Sequence, residues 1–234
     1  MLVSVLAARL VREESGFTLP ELLVSAAIGV VIVLAGFMVL DQAGLVTTRI
    51  TDREDAAQRA RAAIRTITTE LRSQVCLGAT SPAINAGSDG NNLTFYEFTG
   101  AGTFQPERHT LAFDPTHGTL TEYDYASTGT FPNLSFPSSP TRTVQLLTDA
   151  QPVSTGAAVF TYYTWTTGGQ VDASNQLPAP LSATDAARAV KVAIQLRVSP
   201  PGRSTSAEST TIQDEVLSRT ADPNATAGPS VTQC

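Results

Sequence analysis

The stretch GFTLPELLVSAAIGVVIVLAGFMVL, Gly16 to Leu40, decides how this chain is read. From Leu22 to Leu40 it holds no charged side chain. Nineteen residues at about 1.5 Å rise each match roughly the hydrocarbon core of a bilayer. A secretory signal peptide has a shorter apolar region, about 7–15 residues, and ends at a small-residue cleavage site. Asp41-Gln42-Ala43-Gly44 makes a poor site of that kind. A buried soluble helix would confine its apolar residues to one stripe, whereas Val, Ile and Leu here lie all around. Glu21 and Pro20 stand against this background, a carboxylate and a helix breaker at the mouth of a membrane helix.

Proline inside a helix loses a hydrogen bond and clashes with the carbonyl four residues back, which here belongs to Gly16. If the chain were cut after Gly16, the helix would begin at Phe17. Pro20 would then fall in the first turn, where amide hydrogens lack intrahelical partners anyway. The sequence GFTLPELLVSAAIGVVIVLAG resembles the N-terminal signal of type IV prepilins and type II secretion pseudopilins. The resemblance implies that a prepilin peptidase cleaves Gly16-Phe17 and methylates the new N-terminal Phe17, and that Glu21 is the glutamate used to recruit subunits. The leader departs from the usual basic pattern, because Glu13 and Glu14 cancel Arg9 and Arg12.

Cleavage would leave a free amine on Phe17, charged near neutral pH because an α-amino group titrates at about 8. In a bundle of such helices, Glu21 of one subunit could neutralise Phe17 of a neighbour. A mis-registered subunit would bury an unpaired charge, at a cost of about 3–5 kcal/mol. The pair would thus set register.

Beyond the apolar run, Ile50, Ala57, Ala60, Ile64, Ile67, Leu71 and Val75 recur at helical spacing and form one stripe. Arg49, Arg53, Arg59, Arg61, Arg65 and Arg72 decorate the rest, interleaved with Asp52, Glu54, Asp55 and Glu70. This mixture reads as a solvated face laced with ion pairs and gives no direct nucleic-acid signal. No proline interrupts residues 21–76, so one long helix is expected. Its weak points are Gly29, Gly36 and Gly44, each about 1 kcal/mol worse than Ala. The ITTELRSQ segment resembles the helix end of PilW-type minor pilins and J-type pseudopilins.

After Cys76, strand-like runs alternate with Gly, Pro, Ser, Thr and Asn linkers. Strands are expected at 93–98, 110–114, 118–125, 143–148, 158–165, 189–198 and 210–217. In DPTHGTLTEY, Gly118 supplies a turn residue. The run VKVAIQLRV alternates, with Val190, Val192, Ile194, Leu196 and Val198 on one face and Lys191, Gln195 and Arg197 on the other. Residues 126–142 and 166–187 read as long irregular loops. The expected fold is α+β: a pilin-like long N-terminal transmembrane and amphipathic helix packed on an antiparallel β-sheet head. The expected divisions are a leader (1–16), a transmembrane helix (17–44), its amphipathic continuation (45–76) and the head (77–234).

The charge is uneven. Residues 1–76 are neutral overall, with eight basic and eight acidic side chains, and the remainder carries all of the net −6. An acidic head is a poor phosphate binder. His109 and His117, with Asp114, suggest a metal only weakly, since no CxxC or HExxH spacing accompanies them. They read as surface or strand-end histidines, with no metal and no cofactor expected. Tyr162, Tyr163 and Trp165 read as strand packing. Nucleophile-elbow, phosphate-loop and dinucleotide fingerprints are missing, so no enzyme is expected.

Cys76 and Cys234 are the only cysteines. They permit one disulfide, which would pin the polar tail ADPNATAGPSVTQC to the helix end; the alternative is two free thiols.

The expectation is therefore a minor pilin or pseudopilin in the inner membrane, single-pass, with its head outside the cytoplasm, later joining a pilus or pseudopilus. Its partners would be other pilin or pseudopilin subunits, the prepilin peptidase, the assembly platform and the membrane. The competing expectation is an unprocessed single-pass anchor carrying an extracytoplasmic binding domain.

Overall fold

In the computed structural model, the described residues are 18–78, 81–98, 100, 104–166, 169–171, 173–201 and 209–218. The chain divides into two compact units at Ile50/Thr51.

One helix, α1 (Leu19–Arg72), runs through both units. Pro20 is its second residue, so the missing amide removes no intrahelical hydrogen bond. Glu21 in the first turn and Arg72 in the last complement the helix dipole. In the first unit, every described residue is exposed. Leu34 and Phe37, for example, keep 54% and 66% of their surface.

Among the described residues, the second unit holds the rest of α1 and ten strands. Four strands form one antiparallel sheet in the order β1 (Asn92–Glu97), β2 (Glu107–Asp114), β3 (Thr119–Ala126), β6 (Arg142–Leu147). Between β3 and β6, a small hairpin of β4 (Thr128–Thr130) and β5 (Asn133–Ser135) occupies a stretch expected to be irregular. The second sheet is built on β9 (Lys191–Val198). One edge of β9 pairs with β10 (Thr210–Leu217); the other pairs with β7 (Ala150–Gln151) and β8 (Phe160–Tyr163). All these pairings are antiparallel. Together with the apolar helix, they make the chain α+β.

The expected helical stripe is buried from Ala57 to Leu71, joined by Ala56, Ala63 and Thr68. Ile50 is exposed and Val75 half-buried, so the stripe is shorter at both ends than its spacing suggested. Four alanines, Ala56, Ala57, Ala60 and Ala63, line the buried face, and their small side chains allow close packing. Ile64, Ile67 and Leu71 join Leu93, Phe95, Leu111 and Leu120 of the first sheet and Val192, Ile194 and Leu196 of the second in one core. Each fully buried Ile or Leu contributes about 1.5–3 kcal/mol.

Strand β9 follows its alternation: Val190, Val192, Ile194, Leu196 and Val198 are all buried. Lys191 points the other way and yet is only 8% exposed. Its Nζ lies 3.0 Å from Glu215 Oε2 and 4.4 Å from the centre of the Tyr163 ring, which together cover it. Tyr162 is buried, and its hydroxyl donates to the carbonyls of Asp89 and Asn92 at 2.9 and 3.1 Å. The second expected loop contains a 3₁₀ turn (Ala173–Asn175) and the short helix α2 (Ala183–Arg188). Ser182 caps α2 by accepting from the Asp185 amide at 3.1 Å.

Gly118 closes the turn between β2 and β3 at φ 62°, and a Cβ there would sit 2.8 Å from the Ala150 carbonyl oxygen. The Gly118 carbonyl accepts from the Ala150 amide at 2.9 Å, so this turn touches β7 of the other sheet.

Candidate functional site

Two features carry functional groups. The first is the start of α1. Gly16 and Phe17, the expected cleavage and methylation site, lie outside the described residues. Glu21 lies in the first turn, exposed to solvent. Its carboxylate accepts from the Thr18 hydroxyl at 3.5 Å, and its amide donates to the Thr18 carbonyl at 3.0 Å. Among the described residues, no cation pairs with it. The helix that follows is long and apolar enough to cross a membrane. A Cβ on Gly29, Gly36 or Gly44 would meet nothing within 4 Å. These glycines therefore serve no packing inside the chain.

The second feature was not anticipated. His109, expected at the surface or a strand end, is 6% exposed. Register explains its surroundings. The inward face of the first sheet carries Leu93 and Phe95 on β1, Leu111 and Phe113 on β2, and Leu120 on β3. The same face then continues into Glu97, His109, Glu122 and Asp124, all buried. His109 stacks on Phe95 with centroids 5.3 Å apart. Glu70, in the last turn of α1, completes the group.

The imidazole has carboxylates at both nitrogens. Nδ1 lies 2.9 Å from Glu122 Oε1 and 3.1 Å from Asp124 Oδ1. Nε2 lies 3.1 Å from Glu97 Oε2 and 3.8 Å from Glu107 Oε2. Nδ1 can donate only one hydrogen, and Glu122 takes it. Asp124 Oδ1 is left buried without a donor, and so is Glu70 Oε2. The other Asp124 oxygen meets Arg142 at 3.3 Å, an arginine whose side chain is largely exposed.

These contacts set the protonation states. Burial, reinforced by the charge of Glu122 and a hydrogen bond to it, pushes the Glu70 carboxyl up to about 9. Burial alone would push Glu122 up, but hydrogen bonds from His109 and Glu70 outweigh it and hold the group low. Glu97 and Asp124 are raised, mainly by burial, with neighbouring carboxylates adding to it and His109 opposing. Burial works against a charged His109, yet the hydrogen bond to Glu122 and the charges of Glu97 and Asp124 win and raise it. Near neutral pH, Glu70 is therefore neutral, and His109 is shifted toward its charged form. The buried group is short of positive charge.

One donor atom each from Glu70, His109 and Glu122 lies within 4.8 Å of the other two, close enough to share a cation. His117 is not part of this group. It is exposed on the β2–β3 turn, where it hydrogen-bonds Asp114 and holds that carboxyl below its usual range. The arginine-rich face of α1 contains the expected type of ion pair, Arg59 to Asp55 at 3.1 Å.

Cys76 is disulfide-bonded, and Cys234 lies outside the described residues. The alternation in ERHTLAFD and TLTEYDY was the signal that could have exposed the cluster. It puts His109 with Leu111, and Glu122 and Asp124 with Leu120, on one side of each strand.

Neither a family model nor a curated protein matches the chain.

Proposed function

We propose that the chain is a pilin-like subunit, a minor pilin or pseudopilin assembled through its N-terminal helix. The observation that carries this reading is the beginning of α1. Pro20 and Glu21 occupy its first turn, and a charge-free run follows that the chain itself leaves uncovered. An apolar helix of this kind needs lipid, or the helices of neighbours, around it. A carboxylate at its head, without a cation among the described residues, suits pairing with the amine of another subunit's processed terminus. The glycines at 29, 36 and 44 suit close approach between such helices.

On this reading, the peptidase cuts Gly16-Phe17 and methylates Phe17 at the inner membrane, and the head projects outside the cytoplasm. The assembly platform and other pilin or pseudopilin subunits are the partners. The chain acts as a structural subunit and not as an enzyme.

Intact mass and N-terminal sequencing, with and without prepilin peptidase, test the proposal. Methylated Phe17 should appear only with the peptidase. A Met1 terminus under both conditions would sink it in favour of an unprocessed membrane anchor.

A further inference from the structure

We propose that Glu70, His109 and Glu122, with Asp124 as a fourth donor, form a binding site for a divalent transition cation of the Zn²⁺ class, seated between the end of α1 and the first sheet. The inference stands apart from the pilin-like reading and needs only the second unit, Thr51–Cys234.

Three independent features point to a cation. The donors converge, with Glu70, His109 and Glu122 each presenting an atom within 4.8 Å of the others. Asp124, its side chain 4% exposed, directs Oδ1 to within 3.1 Å of His109 Nδ1 and receives no hydrogen bond there. A buried carboxylate oxygen without a donor is costly unless a cation or proton serves it. Finally, Glu97 stands behind the ring, 3.1 Å from Nε2. Metal-ligating histidines characteristically donate their second N–H to a carboxylate, which orients the ring and increases its basicity. With Nδ1 facing Glu122 and Asp124 and Nε2 facing Glu97, His109 is already placed in that way.

The donor set selects the class of ion. Imidazole with carboxylates suits Zn²⁺ and its neighbours, whereas Ca²⁺ and Mg²⁺ prefer all-oxygen shells. Ligand atoms around Zn²⁺ stand roughly 3.0–3.5 Å apart, so the three donors would close in by about an ångström. A cavity of about 150 Å³, lined by Glu97, Gln105, Glu107 and His109, opens on the Nε2 side of the ring. Binding requires a deprotonated Glu70 and a bare His109 Nδ1, so it releases protons to solvent.

The test uses the full-length protein in detergent, stripped with EDTA and kept free of thiol reductant so that the Cys76 disulfide survives. Zn²⁺ is titrated by calorimetry near neutral pH and its effect on the melting temperature recorded. The expected result is one ion per chain, with a rise in melting temperature. Glu70→Gln keeps a neutral hydrogen-bonding group where the acid is already protonated. It should leave the metal-free protein folded, with a melting temperature near neutral pH at or above that of the parent chain, and weaken Zn²⁺ by at least about tenfold. His117→Ala should leave binding intact. Absence of one-to-one binding overturns the proposal. So does equal affinity in Glu70→Gln, or loss of binding in His117→Ala, which would move the ion to the exposed turn.

Discussion

Glu70, in the last turn of α1, shares a hydrogen bond with Glu122 of β3. Two carboxyl groups can do so only if one carries the proton, and burial assigns it to Glu70. The end of the helix is thus tied to the sheet by a proton that water at neutral pH would ordinarily remove.

Metal-free stability should fall as pH rises. Glu70 goes from its ordinary 4.5 to about 9 on folding, so between those values the folded chain binds more protons than the unfolded one, and each step upward costs stability. His109 acts in the same direction. Its folded value is raised above 6.5, so its stabilisation is complete below 6.5 and lost as pH climbs through the folded value. The raised Glu97 and Asp124 add to the trend from their ordinary values upward. Glu122, held low, opposes it only in acid. The facing groups are Glu107 and Arg142. Thermal melts should give a higher melting temperature near pH 5 than near pH 8, and Glu70→Gln should flatten the slope above neutrality.

Zn²⁺ should reverse that slope. Its binding expels protons, so its stabilising effect grows with pH, and melting temperature measured with saturating Zn²⁺ should no longer fall toward alkaline pH.

Truncation in the core should be severe. Ile67 is fully buried in the core that the helix shares with both sheets, and Ile67→Ala should cost about 2–5 kcal/mol in denaturant unfolding, whereas Ile50→Ala, at an exposed position, should be nearly neutral for the head.

Glu21→Ala should leave membrane insertion and the cleavage position unchanged, its mass differing only by the substitution, and reduce cross-linking to other subunits. Undiminished cross-linking would remove Glu21 from any role in register.

The long helix and the strands of the head were legible because each has a period that burial enforces. Where sequence reading stopped, the determinants were distant. Strands β4 and β5 have three residues each, too few for a period to show. Helix α2 carries a readable start signal, Ser182 three residues before Asp185: the Ser182 hydroxyl accepts from the Asp185 amide at 3.1 Å and donates to Asp185 Oδ2 at 2.7 Å. Lys191 lies on the polar face, as its alternation requires, but Tyr163 and Glu215 arrive from other strands to cover it. His109 was misread for the converse reason. No CxxC or HExxH spacing accompanies it, and only the alternation puts Glu122 and Asp124 beside Leu120. Only the arrival of Glu70 from far along the chain turns those positions into a cluster.

The contact of Gly118 with Ala150 has a consequence for cooperativity. The glycine opens β3 of one sheet while its carbonyl holds the first residue of β7 in the other, with no room for a side chain between them. Neither sheet can fray at this corner without releasing its neighbour. The head should therefore melt as one calorimetric unit, and the amides of β3 and β9 should exchange with deuterium at a common, globally limited rate.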